Sequence, residues 1–320
     1  MSQQITVQPV TVADAVTPES AAGRTAGSFF CDALASNGLQ PADGDVLVVS
    51  SKLVSFFEGG LIRLKDVLPG RKARFLGRVF GRDPRKLQVL METGRVLVVL
   101  PLKRILAIPS MRRTMIERSA NPEAMLRGFS SVNKFTFMVR THAAYLDEAG
   151  IDHTNSPDEF ITVLPPDACS SAAAIREAIR DRFGVENAVI VSDTVTSLGR
   201  LGTQDMAIGF SGIDPITRQS FSEDLFGAPR SGGIDIVVDS IAGIAGLVMG
   251  QTIERTPAVL LRGAKYAPER EDAAERGLSA LVYPPGAMAR IAFHTLLATA
   301  WFQLMNLISF SRWPKKTRSV

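Results

Sequence analysis

The stretch from Ser170 to Thr194 reads SSAAAIREAIRDRFGVENAVIVSDT and joins a helix pattern to a buried-strand pattern. Ser170 or Ser171 is suited to cap a helix whose apolar side chains recur on one face, and Gly184 is a residue type that ends helices. The uninterrupted apolar run from Ala188 onward is typical of a strand buried on both faces and ending at a polar Asp-Thr pair. A helix followed by such a strand predicts an α/β fold.

The same alternation extends in both directions from this stretch. Strand patterns occupy residues 5–10, 46–51, 96–100, 105–108, 206–213 and 258–261. Helix patterns occupy residues 21–37, 71–92 and 234–248, and in the last of these Ile234, Val237, Ile241, Ile244 and Val248 are expected to face the core. Residues 109–133 are polar and basic, and we expect a loop or a helical insertion there. The pattern predicts an α/β (α+β) fold with mixed sheets and flanking helices.

The composition indicates a folded protein with room for one large domain or two smaller ones. The 320 residues are 46% hydrophobic and 21% charged, whereas disordered chains are poor in apolar residues. A net charge of +4 suits an anionic substrate, but it also suits many proteins that bind none. Cys31 and Cys169 lack metal-type spacing, and the N-terminus lacks a signal-peptide pattern, so we expect a reducing compartment, the cytoplasm.

Several common function classes are disfavoured by what the sequence lacks. It contains neither GxxxxGK[ST] nor GxGxxG after a strand, so any nucleotide is bound by a different fold. Its three histidines have no nearby partnered nucleophile, which argues against a hydrolytic triad. The basic stretches 71–86 and 103–118 are typical of solvated helix faces. A polyanion-binding surface is the alternative and would show steep salt dependence, but we expect no nucleic-acid partner.

The C-terminal extension, residues 271–320, contains an uncharged run from residue 291 to residue 311, about the length that spans a bilayer. Thr295, Thr299, Gln303 and Asn306 recur in that run at steps of four, four and three and draw a polar stripe along a helix. Such a stripe is typical of a helix that packs on protein or lies at an interface. We expect a packed or dimer-forming helix first, membrane-surface contact through residues 291–320 second, and a true span last.

Polar groups that could carry chemistry occur in three segments. Asp152 and Asn155 lie in a turn that begins with Gly150, Asp193 and Thr194 follow a buried strand, and residues 249–256 form a polar turn between a core helix and a strand. Open α/β sheets bind ligands at the carboxyl ends of strands, and Asp and Thr oxygens suit Mg²⁺ or Mn²⁺. Taken singly, each segment can equally be an Asx turn, a helix cap or a plain loop.

Six motifs in chain order resemble the F420-0:γ-glutamyl ligase family. They are Asp43–Lys52 with Glu58-Gly59, Gly81–Arg85, Ala149–Asn155, Leu164–Asp167, Ile190–Thr194, and Leu247–Gln251 with Arg262-Gly263. Each motif is weak alone, but their order is specific and covers residues 5–265 apart from an insertion at 101–133. The resemblance implies that residues 1–270 form a dimeric ligase domain with a fold distinct from that of the P-loop enzymes.

The resemblance also implies an amide-forming ligase that uses GTP, two Mg²⁺ or Mn²⁺ ions and K⁺. A phosphoryl group would turn a carboxylate of F420-0 or a related acceptor into an acyl phosphate, which the amine of L-glutamate displaces. Carried over by position, Asp152, Asp193, Thr194 and Gln251 would hold metal, with Asp152 and Asp193 as the catalytic pair. The nucleotide would contact Ser51, Asn155, Met249, Gly250, Gln251, Thr252 and Glu254.

Two departures from the family pattern bear on the substrate. Phe56 stands where the family usually carries a second lysine, and residues 195–205 differ from the GRPxR and GQTD sequences that commonly follow the Asp-Thr pair. The metal-binding positions are retained better than the substrate contacts. The alternative function is therefore a binding protein on the same fold, either non-catalytic or altered in substrate.

Overall fold

A five-stranded mixed sheet carries the core of Met1–Ala280, the first of two units into which the chain divides. The computed structural model describes residues 4–141, 145–157, 159–196, 202–217, 222–229, 234–271, 277 and 287–308. The second unit is Leu281–Val320. The α+β class expected from the sequence is confirmed.

The strands in the described ranges form three sheets. They are β1 Thr6–Val10, β2 Val46–Ser50, β3 Leu61–Arg63, β4 Arg95–Leu100, β5 Thr136–Arg140, β6 Tyr145–Asp147, β7 Phe160–Thr162, β8 Ala188–Thr196, β9 Thr203–Ser211 and β10 Ala258–Arg262. The central sheet has the order β1-β10-β2-β8-β9, and the two smaller sheets are β3-β7 and β4-β5-β6. Of the strand pairs that the structure describes in the central sheet, β2 with β8 is the parallel one, with Ser50 opposite Ser192. The carboxyl ends of these two strands therefore meet at one edge.

The helices cover the sheets and link them. They are α1 Pro18–Ala21, α2 Ala26–Ser36, α3 Ser51–Phe57, α4 Arg71–Phe80, α5 Pro84–Thr93, α6 Leu102–Leu106, α7 Pro109–Glu117, α8 Pro122–Ser131, α9 Ala168–Phe183, α10 Val237–Met249 and α11 Ala287–Ile308. Both α9 and α10 pack against β9. At Gly209 the backbone of β9 approaches α9 so closely that a Cβ would lie 2.3 Å from the Ala168 carbonyl oxygen. The fully buried runs Val46–Val49 and Ala188–Val191 form the middle of this core.

Three local predictions were wrong in their boundaries. Asp167, rather than Ser170 or Ser171, caps α9 by accepting hydrogen bonds from the N–H groups of Cys169 and Ser170. Strand β8 continues through Asp193-Thr194 to Thr196, because β9 pairs with it along that whole length. Residues 105–108, predicted as a strand, instead lie at the end of α6 and the turn after it.

The predicted core face of α10 was also wrong. Of the five residues expected to face inward, only Ile241 is buried, whereas Ile234 and Ile244 are exposed. The buried side is formed by Val238, Ile241, Ala242, Ala245 and Met249. Small residues take the inner face because α10 approaches β9 closely: a Cβ at Gly246 would lie 1.9 Å from the Asp205 carboxylate.

The expected insertion at 101–133 consists of the three short helices α6 to α8, as one of the two alternatives predicted. The expected boundary at residue 270 stays a prediction. In the second unit the structure describes α11, whose Leu296, Trp301 and Phe302 are exposed. Among the described helices, none has the length and apolar character needed to cross a bilayer.

Candidate functional site

The first part of the site lies where β2 and β8 end side by side. Helix α3 begins at Ser51, directly after β2, and the Ser51 hydroxyl donates to Asp193 Oδ1 at 2.9 Å. Burial raises the pKa of Asp193 to about 6, although hydrogen bonds from Ser51 and from the Thr194 N–H oppose the rise. Among the described residues no lysine, arginine or histidine lies within ion-pair distance of Asp193. The site thus holds a carboxylate whose charge has no cationic partner in contact.

The second part is the turn that carries Asp152. Two backbone hydrogen bonds with Thr162 of β7 anchor Asp152, and the Thr154 N–H donates to its Oδ1 at 2.7 Å. Lys52, the second residue of α3, forms an ion pair with Asp152 and also donates to the Thr154 carbonyl. Burial raises the pKa of Asp152, but the contacts with Lys52 and Thr154 outweigh it and the net pKa is lowered. Asp152 therefore loses its proton at a lower pH than Asp193.

The third part is the turn after α10, which contacts both of the others. Thr194 Oγ1 donates to Gln251 Oε1 at 2.9 Å, and Asn155 Nδ2 donates to the Thr252 carbonyl at 3.0 Å. Glu254 accepts from the Thr252 N–H at 2.7 Å and so closes the turn on itself. Gly250 has a φ of 67°, and a Cβ there would lie 2.3 Å from the Glu254 side chain, so this turn requires glycine.

The structure brings most of the predicted site residues into direct contact. Ser51 contacts Asp193, Thr194 contacts Gln251, and Asn155 contacts the turn containing Thr252 and Glu254. Asp152 influences Asp193 electrostatically but shares no hydrogen bond with Thr194 or Gln251 in the described residues. The Met249 side chain is buried at the end of α10.

Two contributors were not predicted from the sequence as site residues. Asp205 lies opposite Thr194 in the β8–β9 pair, and its carboxylate accepts from Gln251 Nε2 at 3.3 Å. Burial raises the pKa of Asp205, whereas hydrogen bonds from Gln251 and Thr194 lower it. Lys52 is the second contributor. In the sequence, its position directly after Ser51 at the end of a buried strand could have indicated it. Asp205 is the last residue of the divergent stretch 195–205, but its contact with Gln251 depends on the register of β9 against β8, which the sequence of neither strand specifies.

The chemistry of the donor set fits a hard divalent cation. Asp152, Asp193, Thr194 and Gln251 offer carboxylate, hydroxyl and amide oxygens, which are the ligands that Mg²⁺ and Mn²⁺ prefer. The described residues contain no group of three His, Cys, Asp or Glu side chains placed to hold a metal ion. A cation here would therefore depend on the neutral oxygens of Thr194 and Gln251 as well as on Asp193, which has no cationic group in contact within the described ranges.

The two departures from the family pattern can be located in part. Phe56 lies in α3 and is only 8% exposed, so its ring belongs to the core rather than to the site. Of the divergent stretch 195–205, residues 195–196 close β8 and residues 203–205 open β9. Residues 197–201 lie outside the described part of the chain.

Comparisons with known proteins point to one family. A family model described as F420-0:Gamma-glutamyl ligase matches residues 16–263. The chain is 32% identical over 228 residues to the coenzyme F420:L-glutamate ligase of Methanopyrus kandleri, covering 71% of this chain and 78% of that protein. It is 29% identical over 256 residues to the enzyme of the same name from Methanothermobacter thermautotrophicus, covering 80% and 89%.

The matched range contains all the residues of the candidate site, from Ser51 to Glu254. The chain belongs to the F420-0:gamma-glutamyl ligase family, whose members are enzymes that form an amide bond.

Proposed function

We propose that this protein joins L-glutamate to a carboxylate of F420-0, or of a related acceptor, using GTP and two Mg²⁺ or Mn²⁺ ions. The observation that carries the proposal is the meeting of Asp193, Thr194 and Gln251 with Ser51 at the ends of the two parallel strands. The names of the relatives support the amino acid and the acceptor class. The reaction would pass through an acyl phosphate, because a free carboxylate is a poor electrophile for an amine.

Each part of the site has a place in this reaction. Asp152, Asp193, Thr194 and Gln251 would hold the divalent cations, which when bound neutralise phosphate charge, and K⁺ would accompany them. The nucleotide would lie along Ser51, Asn155 and the turn from Met249 to Glu254, whose N–H and hydroxyl groups can donate to phosphate oxygens. Phosphoryl transfer asks the protein mainly for positioning.

The fixed geometry of the chain supplies this positioning. Lys52 bonds to both Asp152 and the Thr154 carbonyl, which ties the turn to α3. Asn155 ties the same turn to Thr252. Asp205 holds the Gln251 amide nitrogen, which leaves the amide oxygen directed toward Thr194. These contacts orient the oxygen donors before any substrate arrives.

The test is phosphate release from GTP with Mn²⁺, F420-0 and L-glutamate, together with the mass of the product. Asp193→Asn removes the unpartnered charge and should reduce phosphate release by about a hundredfold or more, the scale of a lost electrostatic group in an active site. Asp66→Asn is the matched control, because Asp66 is an exposed carboxylate of a different segment. Full activity of Asp193→Asn would refute the assignment.

A second candidate is a binding protein that has lost or changed the reaction. The burial of Phe56, where the family usually carries a lysine, favours it because one charged contact is absent. This protein would bind Mn²⁺ and GTP in calorimetry yet release no phosphate with F420-0 and L-glutamate. Turnover with this pair of substrates excludes it.

We also propose a homodimer. Helix α11 exposes Leu296, Trp301 and Phe302, and exposed aromatic and aliphatic side chains in one segment are typical of protein contacts. Sedimentation equilibrium of the full chain tests it, and a single species with the mass of one chain would contradict it.

A further inference from the structure

A lysine and a histidine face each other at the edge of the candidate site. Lys86 Nζ lies 2.6 Å from His153 Nε2. Lys86 projects from the first turn of α5, and His153 directly follows Asp152 in the chain. The pair therefore lies beside the turn that carries Asp152.

Three described cations near this pair are held in ion pairs. The neighbouring ion pairs are Lys52–Asp152, Arg82–Glu148 and Arg85–Asp83. Among the described residues, no carboxylate lies within ion-pair distance of Lys86 Nζ or of the His153 ring. In the part of the chain that the structure describes, this ammonium group thus has no carboxylate in contact, although Asp83 and Glu148 attract it from farther away.

The hydrogen-bond inventory of the pair leaves donors unused. An ammonium group has three N–H donors, and the described contacts of Lys86 use one, toward the imidazole. A hydrogen bond to the Phe160 backbone orients the His153 ring. Burial is the main cause that lowers the pKa of Lys86, and an anion in contact would favour its charged form.

We propose that Lys86, held in position by His153, forms a carboxylate-binding subsite for a substrate of the ligase, an inference that rests on the proposed function. Two substrates could supply the group: the incoming amino acid, whose carboxylates do not react, or the acceptor, whose carboxylate does. Either source would place its anion next to Asp152 and so next to the proposed metal site. The same contact would set which amino acid or acceptor the enzyme accepts.

The direct test follows the His153 ring by proton–nitrogen NMR of the full chain, with the resonance assigned from a His153→Gln variant. L-Glutamate and F420-0 are titrated separately in the presence of GDP and Mg²⁺, which is diamagnetic and leaves the ring signal sharp. A saturable shift of the ring signal with L-glutamate identifies the amino acid as the source, and a shift with F420-0 identifies the acceptor. If neither compound shifts the His153 signal, the subsite does not exist.

Kinetics add a second readout. Lys86→Met should raise the KM for one of the two substrates by about ten- to a hundredfold, the loss expected for a hydrogen bond to a charged group. Lys86→Arg should return the KM most of the way to the wild-type value, since a guanidinium also donates to carboxylates. Lys72→Met, which removes an exposed lysine of α4, is the matched control and should change neither KM. Unchanged KM values in Lys86→Met would overturn the proposal.

The two proposals fail separately. Absence of phosphate release by the wild-type chain, together with a saturable His153 shift, would refute the ligase reaction and retain the subsite. Turnover without any effect of Lys86→Met or any ring shift would retain the reaction and refute the subsite.

Discussion

Asp193 is buried and, among the described residues, has no cationic group within ion-pair distance, which makes its charge costly when no metal is bound. Its pKa is raised from 3.8 to about 6, with burial as the main cause. Protonation therefore favours the folded state: this contribution to stability is fully present below pH 3.8 and is lost as the pH rises through about 6. At neutral pH the folded protein carries the cost of the buried charge.

We predict that Asp193→Asn stabilises the metal-free protein at neutral pH. The gain should reach up to about 3 kcal/mol, at about 1.4 kcal/mol per pKa unit, and should shrink as the pH falls from about 6 to 3.8. Urea unfolding with a chelator present measures it across this range. An Asn variant that is less stable than the wild type at neutral pH would show that Asp193 already has a favourable partner.

Gln251 is predicted to be sensitive to charge because its amide bridges a hydroxyl and a carboxylate. Gln251→Glu places a second carboxylate near Asp205, where the amide nitrogen now donates at 3.3 Å. Like charges at this distance should lower the metal-free unfolding free energy by about 1 kcal/mol, a modest amount because Gln251 is exposed. Adding Mn²⁺ should stabilise this variant more than the wild type. Equal Mn²⁺ stabilisation of both proteins in thermal melts would argue against a metal at this position.

At the scale of elements, the contact of α10 with β9 positions Asp205. A Cβ on Gly246 would lie 1.9 Å from Asp205 Oδ2, whereas a Cβ on Gly243 would meet only the Asp205 carbonyl oxygen at 3.9 Å. Gly246→Ala should therefore displace the Asp205 side chain and cost about 1–3 kcal/mol through overpacking. Gly243→Ala, the matched control in the same helix, should stabilise by up to about 1 kcal/mol, because alanine favours helix. The urea concentrations at the unfolding midpoints of the two variants measure both changes in stability.

The same pair of variants tests the link from helix packing to the site. Since Asp205 holds the Gln251 amide, Gly246→Ala should also weaken Mn²⁺ binding in calorimetry. Gly243→Ala should leave it unchanged. Equal Mn²⁺ affinities in the two variants would show that Asp205 has no part in orienting Gln251.

The sequence predicted elements well where apolar runs were continuous and poorly where packing decided the outcome. The strands at 46–50 and 188–192 were evident because both faces of each are buried. The inner face of α10 was missed because periodicity counts large apolar residues, whereas a close helix–sheet contact selects alanine and glycine. Asp205 was missed for a related reason, since its closeness to Thr194 depends on a register between two strands.

At the scale of the whole molecule, the site is assembled from residues far apart in the chain. Ser51 and Asp193 meet because β2 and β8 are parallel neighbours, and parallel neighbours require a long crossover. Composition and periodicity carry no information about that pairing. The order of the motifs does carry this information, because resemblance to a family implies the strand topology of that family. The family was thus predictable from the sequence, whereas the contacts of Lys52 and Lys86 required the structure.

The last prediction concerns the two units. All the residues of the candidate site lie between Ser51 and Glu254, and the family match ends at residue 263, so the first unit contains the complete site. A chain truncated after Ala280 should unfold cooperatively at the urea midpoint of the full chain and bind Mn²⁺ with the same affinity. In sedimentation it should lose the proposed dimer, because α11 and its exposed Leu296 and Trp301 are removed. A truncated chain that still dimerises would place the interface within the ligase unit, and one that fails to fold would show that this unit depends on residues 281–320.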